Sequence, residues 1–135
     1  MHDVFKLRVA DVMTKAPRCI EPHQPVTLAR EWMDELGVRH LPVRESGKLV
    51  GILSDRDLGW LLTPRRGSRE DLAGLTVEDA MITGVHTVAE SQPLSEVTRE
   101  MVLHKLGSVL VVGADGRLSG IFTDTDALRI LAGQA

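Results

Sequence analysis

One pattern of seven residues occurs twice in the chain, and this duplication constrains the fold more than any other feature. GILSDRD begins at Gly51, and GIFTDTD begins at Gly120, 69 positions further on. Upstream of them, VADVMT from Val9 matches VEDAMIT from Val77 at an offset of 68. A correspondence that continues over about fifty residues with one insertion predicts an internal repeat.

Both copies predict the same order of secondary-structure elements. In the first copy, PVTLAREWMDELG from Pro25 has apolar residues at helical spacing and stops at Gly37. HLPVRE and KLVGILS, joined through Gly47, predict a β-hairpin, and DRDLGWLL returns to helical spacing. SVLVV, RLSGIFT and DTDALRILA repeat this order in the second copy. We therefore predict an α/β fold of two β-α-β-β-α repeats that pack together about a pseudo-two-fold axis, because neither half buries a sufficient core alone.

The repeats also predict the domain organisation. Residues 1–62 form the first repeat, and residues 76–135 form the second. The segment between them, residues 63–75, contains proline and glycine among charged residues, which is typical of a connector. We expect the two repeats to make one domain together, since 135 residues is an ordinary length for a single domain.

Composition and charge exclude several classes of protein. Hydrophobic residues make up 43% of the chain and charged residues 26%, as in soluble globular proteins. The net charge of −3 provides no positive field for a nucleic acid, and the apolar segments are too short to span a membrane. Cys19 is the single cysteine, so no internal disulfide forms. With no apolar leader at the start, we expect a cytoplasmic protein with neither a nucleic-acid nor a membrane partner.

The repeated motifs resemble those of a known family, the tandem cystathionine-β-synthase (CBS) domain or Bateman module. The resemblance is carried by VADVMT, VRHLPV and GILSDRDL in the first copy and by VEDAMIT and GIFTDTDAL in the second, over residues 9–62 and 76–131. It implies a regulatory module without catalytic activity, which binds AMP, ADP, ATP or S-adenosylmethionine in clefts between paired sheets and forms a homodimer.

From this resemblance we expect a stand-alone module that senses an adenine nucleotide and signals to an unidentified effector protein. The alternative is a structural module whose clefts stay empty and whose task is dimerisation or protein interaction. A panel of adenosine ligands separates these two functions.

Two duplicated carboxylates, Asp57 and Asp126, are the candidate ribose ligands. One carboxylate can accept hydrogen bonds from both ribose hydroxyls, and each aspartate is predicted to lie at a helix start. Ser54 and Thr123 add a hydroxyl from the preceding strand end. By resemblance, these four residues are the ribose-contacting positions of the family. The same Ser/Thr-x-x-Asp spacing also predicts a helix capping box, so the motif supports both a structural and a ligand-binding role.

Three basic residues of the first copy are the candidate phosphate ligands. Arg56 lies between two aspartates at the helix start, and its guanidinium group matches phosphate oxygens. Arg39 and His40 precede the first strand of the hairpin, a position from which the family often directs a basic side chain toward phosphate. Each of them is equally well explained as a solvated surface cation, and His40 also as a hydrogen-bonded, partly buried imidazole. Gly51 and Gly120 are interpreted as leaving space for a close backbone approach.

The adenine ring requires an apolar slot. Because the chain has no tyrosine and only 3% aromatic residues, we expect this slot to contain few aromatic side chains. Aliphatic side chains and backbone near Ala16, Cys19, Ile20 and Pro42 are the candidates for this slot. Trp32 and Trp60 have helical spacing and are interpreted as core or dimer-interface residues instead of base platforms.

The two copies differ in their candidate cations. At the offset of 69, Arg56 corresponds to Thr125, His40 to Val109 and Pro42 to Val111. A carboxylate that faces a phosphate without a compensating cation is electrostatically unfavourable. We therefore expect the copy with Asp57 to be the primary nucleotide site. The copy with Asp126 is expected to be weak, empty, or suited to an uncharged adenosine-like ligand.

Catalytic and metal-binding motifs are absent from the sequence. The five histidines, His2, His23, His40, His86 and His104, have no H-E-x-x-H or comparable ligand spacing. There is no G-x-S-x-G nucleophile turn and no G-x-x-x-x-G-K-[ST] phosphate loop. We therefore expect no enzyme activity and no resident metal.

Overall fold

The structure, a computed structural model, describes residues 6–61 and 74–133, in which helices and strands alternate. The first half contains α1 Val9–Val12, β1 Thr14–Lys15, α2 Val26–Leu36, β2 His40–Glu45, β3 Lys48–Ser54 and α3 Asp55–Leu61. The second half contains α4 Val77–Ala80, β4 Thr87–Ala89, α5 Leu94–His104, β5 Ser108–Val112, β6 Leu118–Thr123 and α6 Asp124–Leu131. The predicted α/β class is confirmed. Most of the predicted connector, and the side chain of Trp60, lie outside the described residues.

The chain divides into two compact units that combine parts of both repeats. Unit 1 comprises Met1–Pro17 and His86–Ala135, and unit 2 comprises Arg18–Val85. The leading helix of each repeat, α1 or α4, therefore belongs to the unit that contains the hairpin of the other repeat. The repeat boundaries 1–62 and 76–135 describe the duplication in the sequence, and the contacts follow this exchanged arrangement.

Unit 1 contains a four-stranded sheet in the order β1-β6-β5-β4. Strands β4 and β5 are parallel, and the other neighbours are antiparallel. Helix α5 buries Leu94, Val97 and Met101, whose spacing places them on one face of the helix. These side chains form one core cluster with residues of α1, β4, β5 and β6: Val9, Val88, Val109, Val111 and Phe122.

Unit 2 repeats this architecture with shorter outer strands. Its hairpin of β2 and β3 is antiparallel, and the flanking positions are single bridges, Ile20 parallel to Val43 and Ile82 antiparallel to Ile52. The first predicted strand of this repeat is thus reduced to one bridge at Ile20. The core consists of Ile20, Val26, Ala29, Met33, Leu41, Val43, Leu53, Leu58 and Val77.

Candidate functional site

The Ser-x-x-Asp motif of unit 2 forms a helix capping box at the junction of β3 and α3. The backbone N–H and the hydroxyl of Ser54 both donate to Oδ2 of Asp57, at 3.0 Å and 2.8 Å. The N–H of Asp57 donates in return to the Ser54 hydroxyl oxygen at 3.2 Å. These contacts satisfy backbone donors that the first turn of the helix leaves unpaired. The structural role predicted for this motif is therefore confirmed.

The Thr-x-x-Asp motif of unit 1 forms the same box between β6 and α6. Thr123 donates to Oδ2 of Asp126 from its backbone N–H at 2.9 Å and from its hydroxyl at 3.0 Å. The N–H of Asp126 donates to the Thr123 hydroxyl oxygen at 3.2 Å. In both copies the box uses one carboxylate oxygen, Oδ2, and fixes the position of the other.

The second carboxylate oxygen has different surroundings in the two copies. Oδ1 of Asp126 lies 3.6 Å from Nη1 of Arg129, three residues further along α6. Among the residues that the structure describes, no group donates to Oδ1 of Asp57. Asp57 is half-buried, whereas the side chain of Asp126 is only 11% exposed. The sequence reasoning missed Arg129, although its spacing of three residues from Asp126 predicts a neighbour on the helix surface.

Strand pairing brings the candidate cations of unit 2 to the edge where Ser54 and Asp57 lie. His40 at the start of β2 is the cross-strand partner of Ser54 at the end of β3. The carbonyl of Arg39 accepts a hydrogen bond of 2.8 Å from the N–H of Asp55. Nε of the Arg39 side chain lies 4.0 Å from the Asp55 carboxylate. Arg56 is exposed in the first turn of α3. This edge therefore combines carboxylates with three basic side chains.

The four residues named for the adenine slot are not brought together within one unit. Ile20 and Pro42 are fully buried in unit 2, where the N–H of Ile20 donates to the carbonyl of Pro42 at 3.0 Å. Cys19 is half-buried beside them in sequence, and burial raises the pKa of its thiol. Ala16 belongs to unit 1, where it is exposed, and its N–H donates to the carbonyl of Ser119 at 3.1 Å. The adenine assignment stays a prediction.

The strand register corrects the position of the insertion between the copies. Leu41 pairs with Leu53 in unit 2, and Val109 pairs with Phe122 in unit 1. Leu53 and Phe122 hold the same place in the repeated pattern, so their strand partners, Leu41 and Val109, are equivalent too. The offset of 69 instead matches Leu41 with Leu110. The extra residue therefore lies in the hairpin after β5, where a turn accepts an insertion without reversing the buried strand face.

This register changes the counterparts of two candidate site residues. His40 corresponds to Ser108, because each pairs with the capping residue of its repeat, and not to Val109. Pro42 corresponds to Leu110 instead of the valine that follows it. The second repeat thus has a serine where the first has a histidine. Its strand start carries no cation at this position, as the sequence predicted.

The chain itself, and not a ligand, makes the close approach at the two repeated glycines. A Cβ atom at Gly51 would lie 2.8 Å from the carbonyl oxygen of Ile82 and 2.8 Å from Sδ of Met81. A Cβ atom at Gly120 would lie 2.9 Å from the carbonyl oxygen of Thr14. The segments that follow α4 and α1 fill this space. The expected close backbone approach at these glycines is therefore confirmed, and the approaching backbone is that of the chain itself.

A polar cluster in unit 1 connects the start of β4 to α5. His86 Nε2 lies 2.7 Å from Oε2 of Glu100, and the amide of Gln92 donates to Oε1 at 3.1 Å. The bond to His86 is the main cause that lowers the pKa of the Glu100 carboxyl. The His104 ring lies 5.8 Å from that of His86. Within residues 6–61 and 74–133, no group of three or more acidic, histidine or cysteine residues could hold a metal.

No helix in the described part of the chain has the length and apolar character needed to cross a bilayer. This agrees with the sequence, in which every helical segment carries charged residues.

Two of the similar solved structures contain adenosine compounds. CBSX2, which is known from Arabidopsis thaliana, has been solved in complex with AMP; it is 31% identical, with a TM-score of 0.77 over 93% of this chain and 96% of that one. The CBS domain pair of protein MJ0100 has been solved in complex with 5′-methylthioadenosine and S-adenosyl-L-methionine. It is 27% identical, with a TM-score of 0.82 over 96% of this chain and 98% of that one.

Curated relatives are longer proteins. L-aspartate semialdehyde sulfurtransferase of Methanocaldococcus jannaschii is 29% identical over 127 residues, which cover 93% of this chain and 23% of the relative. The chain spans less than half the length of the first curated relatives that it matches. The CBS domain model matches residues 9–58 and again residues 77–133. Two matches that together cover most of the sequence show that the chain belongs to the CBS domain family and carries a tandem CBS pair.

Proposed function

We propose that this CBS pair is a regulatory module that binds an adenine nucleotide, AMP, ADP or ATP, through Asp57. The supporting observation is that the capping box holds Oδ2 of Asp57 while Oδ1 accepts no hydrogen bond among the described residues. A carboxylate oxygen has two lone pairs and can accept from two neighbouring ribose hydroxyls. Because the box already fixes the side chain, binding loses little conformational entropy.

The charges around Asp57 support a nucleotide in preference to an uncharged nucleoside. Asp55 and Asp57 alone would repel a phosphate, and Arg39, His40 and Arg56 supply the compensating basic groups at the same edge of unit 2. A ligand with a diol at one end and an anionic group at the other matches this arrangement of opposite charges.

Related structures support adenosine as the common part of the ligand. CBSX2 binds AMP, and the CBS pair of MJ0100 binds 5′-methylthioadenosine and S-adenosyl-L-methionine. The latter two ligands carry no phosphate, so S-adenosylmethionine is the competing candidate here. The basic side chains of unit 2 favour the phosphate-bearing ligands over it.

We further propose that this chain changes no bond of its ligand and acts in the cytoplasm through other protein molecules. Its two partners are a second copy of the chain and an effector protein that responds to nucleotide occupancy. A purely structural module is the second candidate function. It is favoured by Val102, Leu103, Leu128 and Leu131 of unit 1, which are large apolar side chains exposed to solvent.

A thermal-shift panel tests the proposed function. The panel contains AMP, ADP, ATP, S-adenosylmethionine, NAD and GMP. At about 100 times its dissociation constant, a ligand for one site adds about 2.7 kcal/mol to the free energy of unfolding, which raises Tm by about 10 °C in a domain of this size. We expect this shift with adenine nucleotides, a smaller one with GMP, and a smaller AMP shift in Asp57→Asn, which lacks the primary site. If no adenosine compound shifts Tm at millimolar concentration, the structural alternative replaces this proposal.

A further inference from the structure

One cation, Arg129, distinguishes the surroundings of Asp126 from those of Asp57. Oδ2 of Asp126 is held by the capping box with Thr123, and Oδ1 lies 3.6 Å from the guanidinium group of Arg129. The Asp126 side chain is 11% exposed and that of Arg129 is 59% exposed. The corresponding position in the first repeat is Trp60, which carries no charge. The carboxylate of the second repeat is therefore paired with a cation of its own helix.

A ribose that binds to Asp126 has to approach Oδ1, beside which Arg129 lies, because Thr123 already occupies Oδ2. An ion pair with one exposed partner contributes up to about fivefold to an equilibrium constant. A neutral nucleoside would compete with the guanidinium group for Oδ1 and would offer it no other anionic partner. A ligand that also carries a phosphate would supply such a partner, and a guanidinium group binds phosphate oxygens through two parallel hydrogen bonds.

We propose that Arg129 determines ligand specificity in the second repeat, so that the Asp126 site prefers phosphate-bearing adenosine ligands to neutral ones. This inference rests on the proposed function, since it requires that the Ser/Thr-x-x-Asp carboxylates bind ribose. It replaces the expectation from the sequence that this copy is weak, empty, or suited to an uncharged adenosine-like ligand. That expectation assumed a site without a cation, whereas the structure places Arg129 on the carboxylate itself.

Titration calorimetry with AMP and adenosine tests this inference in the Asp57→Asn protein, which keeps only the second site. We expect AMP to bind at least about tenfold more tightly than adenosine. Arg129→Ala should weaken AMP binding about tenfold to a hundredfold, by loss of a charge-assisted bond. It should leave adenosine binding unchanged or strengthen it up to about fivefold. Arg129→Lys, which keeps the charge, should retain part of the preference.

Arg99→Ala is the matched control, because Arg99 is an exposed arginine of the same unit on α5 and its removal changes the net charge equally. The control should leave both affinities unchanged. An AMP-to-adenosine ratio that is the same with and without Arg129 contradicts the inference, and so does a complete loss of binding in Asp57→Asn. If the unmodified protein binds neither ligand, the proposed function itself fails.

Discussion

At the scale of single residues, Asp57 combines a structural and a binding role by using its two oxygens separately. Oδ2 closes the capping box with Ser54, and this fixes Oδ1 for a ligand. The sequence predicts the box because its spacing is local. The spacing of three residues indicates Arg129 as a neighbour of Asp126, but whether the ion pair forms depends on the conformation of the long arginine side chain.

Alanine substitutions of the two aspartates should separate these roles. Asp57→Ala and Asp126→Ala each remove one capping box, so each should lower the free energy of unfolding by about 1 kcal/mol. Only Asp57→Ala should remove the primary site, and the loss of a charge-assisted bond to ribose should cost about 1.5–3 kcal/mol in AMP or ATP binding. Chemical denaturation measures the first effect, and titration calorimetry measures the second. Greater damage to nucleotide binding in Asp126→Ala would show that the assignment of the primary site is wrong.

At the scale of secondary structure, local patterns are sufficient to predict the hairpin strands and the longer helices. HLPVRE and KLVGILS correspond to β2 and β3 at both ends, because period and turn residues are local properties. The exchange of α1 and α4 between units was not predictable in this way. It depends on tertiary contacts, such as the two hydrogen bonds of 3.0 Å and 2.9 Å between Ile52 and Ile82, which lie on segments far apart in the sequence.

In both units, a side chain near the first bridge or strand contacts the long helix, α2 or α5, at equivalent positions. The type of contact differs between the units. In unit 2, the guanidinium group of Arg18 lies 4.1 Å from the ring centroid of Trp32, a cation–π contact. In unit 1, the same positions are His86 and Glu100, which form a hydrogen bond of 2.7 Å. The first contact joins a guanidinium group to an aromatic ring, and the second joins an imidazole to the Glu100 carboxyl.

The stability of unit 1 should therefore depend on pH through Glu100. Its pKa is lowered from the ordinary value of 4.5, first by the hydrogen bond from His86 and also by that from Gln92. A carboxyl whose pKa is lower in the folded state stabilises it above the unfolded pKa, and this contribution disappears as the pH falls through the folded pKa. We expect Tm of the unmodified protein to fall more steeply below about pH 4.5 than that of Glu100→Gln.

Thermal denaturation between about pH 3 and pH 7 measures this difference. Glu31→Gln is the control, since Glu31 is exposed in the middle of α2 and its side chain has no ion pair or hydrogen bond among the described residues. It should follow the unmodified protein throughout. Parallel curves for Glu100→Gln and the unmodified protein would rule out the contribution assigned to His86.

At the scale of the whole molecule, the two repeats have different surfaces. On α5, Val102 is 80% exposed and Leu103 is 72% exposed. The equivalent positions on α2 are Asp34 and Glu35. On α6, Leu128 and Leu131 add further exposed apolar side chains at 65% and 81%. Both α5 and α6 pack on the core cluster of unit 1, so these side chains belong to the outer helical layer of one unit. Contact with water is unfavourable for an apolar surface of this kind, and a protein partner would bury it.

We expect this surface to join two copies of the chain. An isologous interface places the same patch of both copies in contact, and an apolar patch is compatible with itself, whereas the acidic α2 surface would repel its own copy.

Light scattering at micromolar concentration should give the mass of a dimer. The double substitution Val102→Glu and Leu103→Glu should give a monomer, because it introduces on α5 the acidic character that α2 has at the same positions. The matched control, Asp34→Asn with Glu35→Gln, should remain dimeric. A monomeric unmodified protein contradicts self-association, and a dimer that survives the double glutamate substitution shows that the copies meet through another surface.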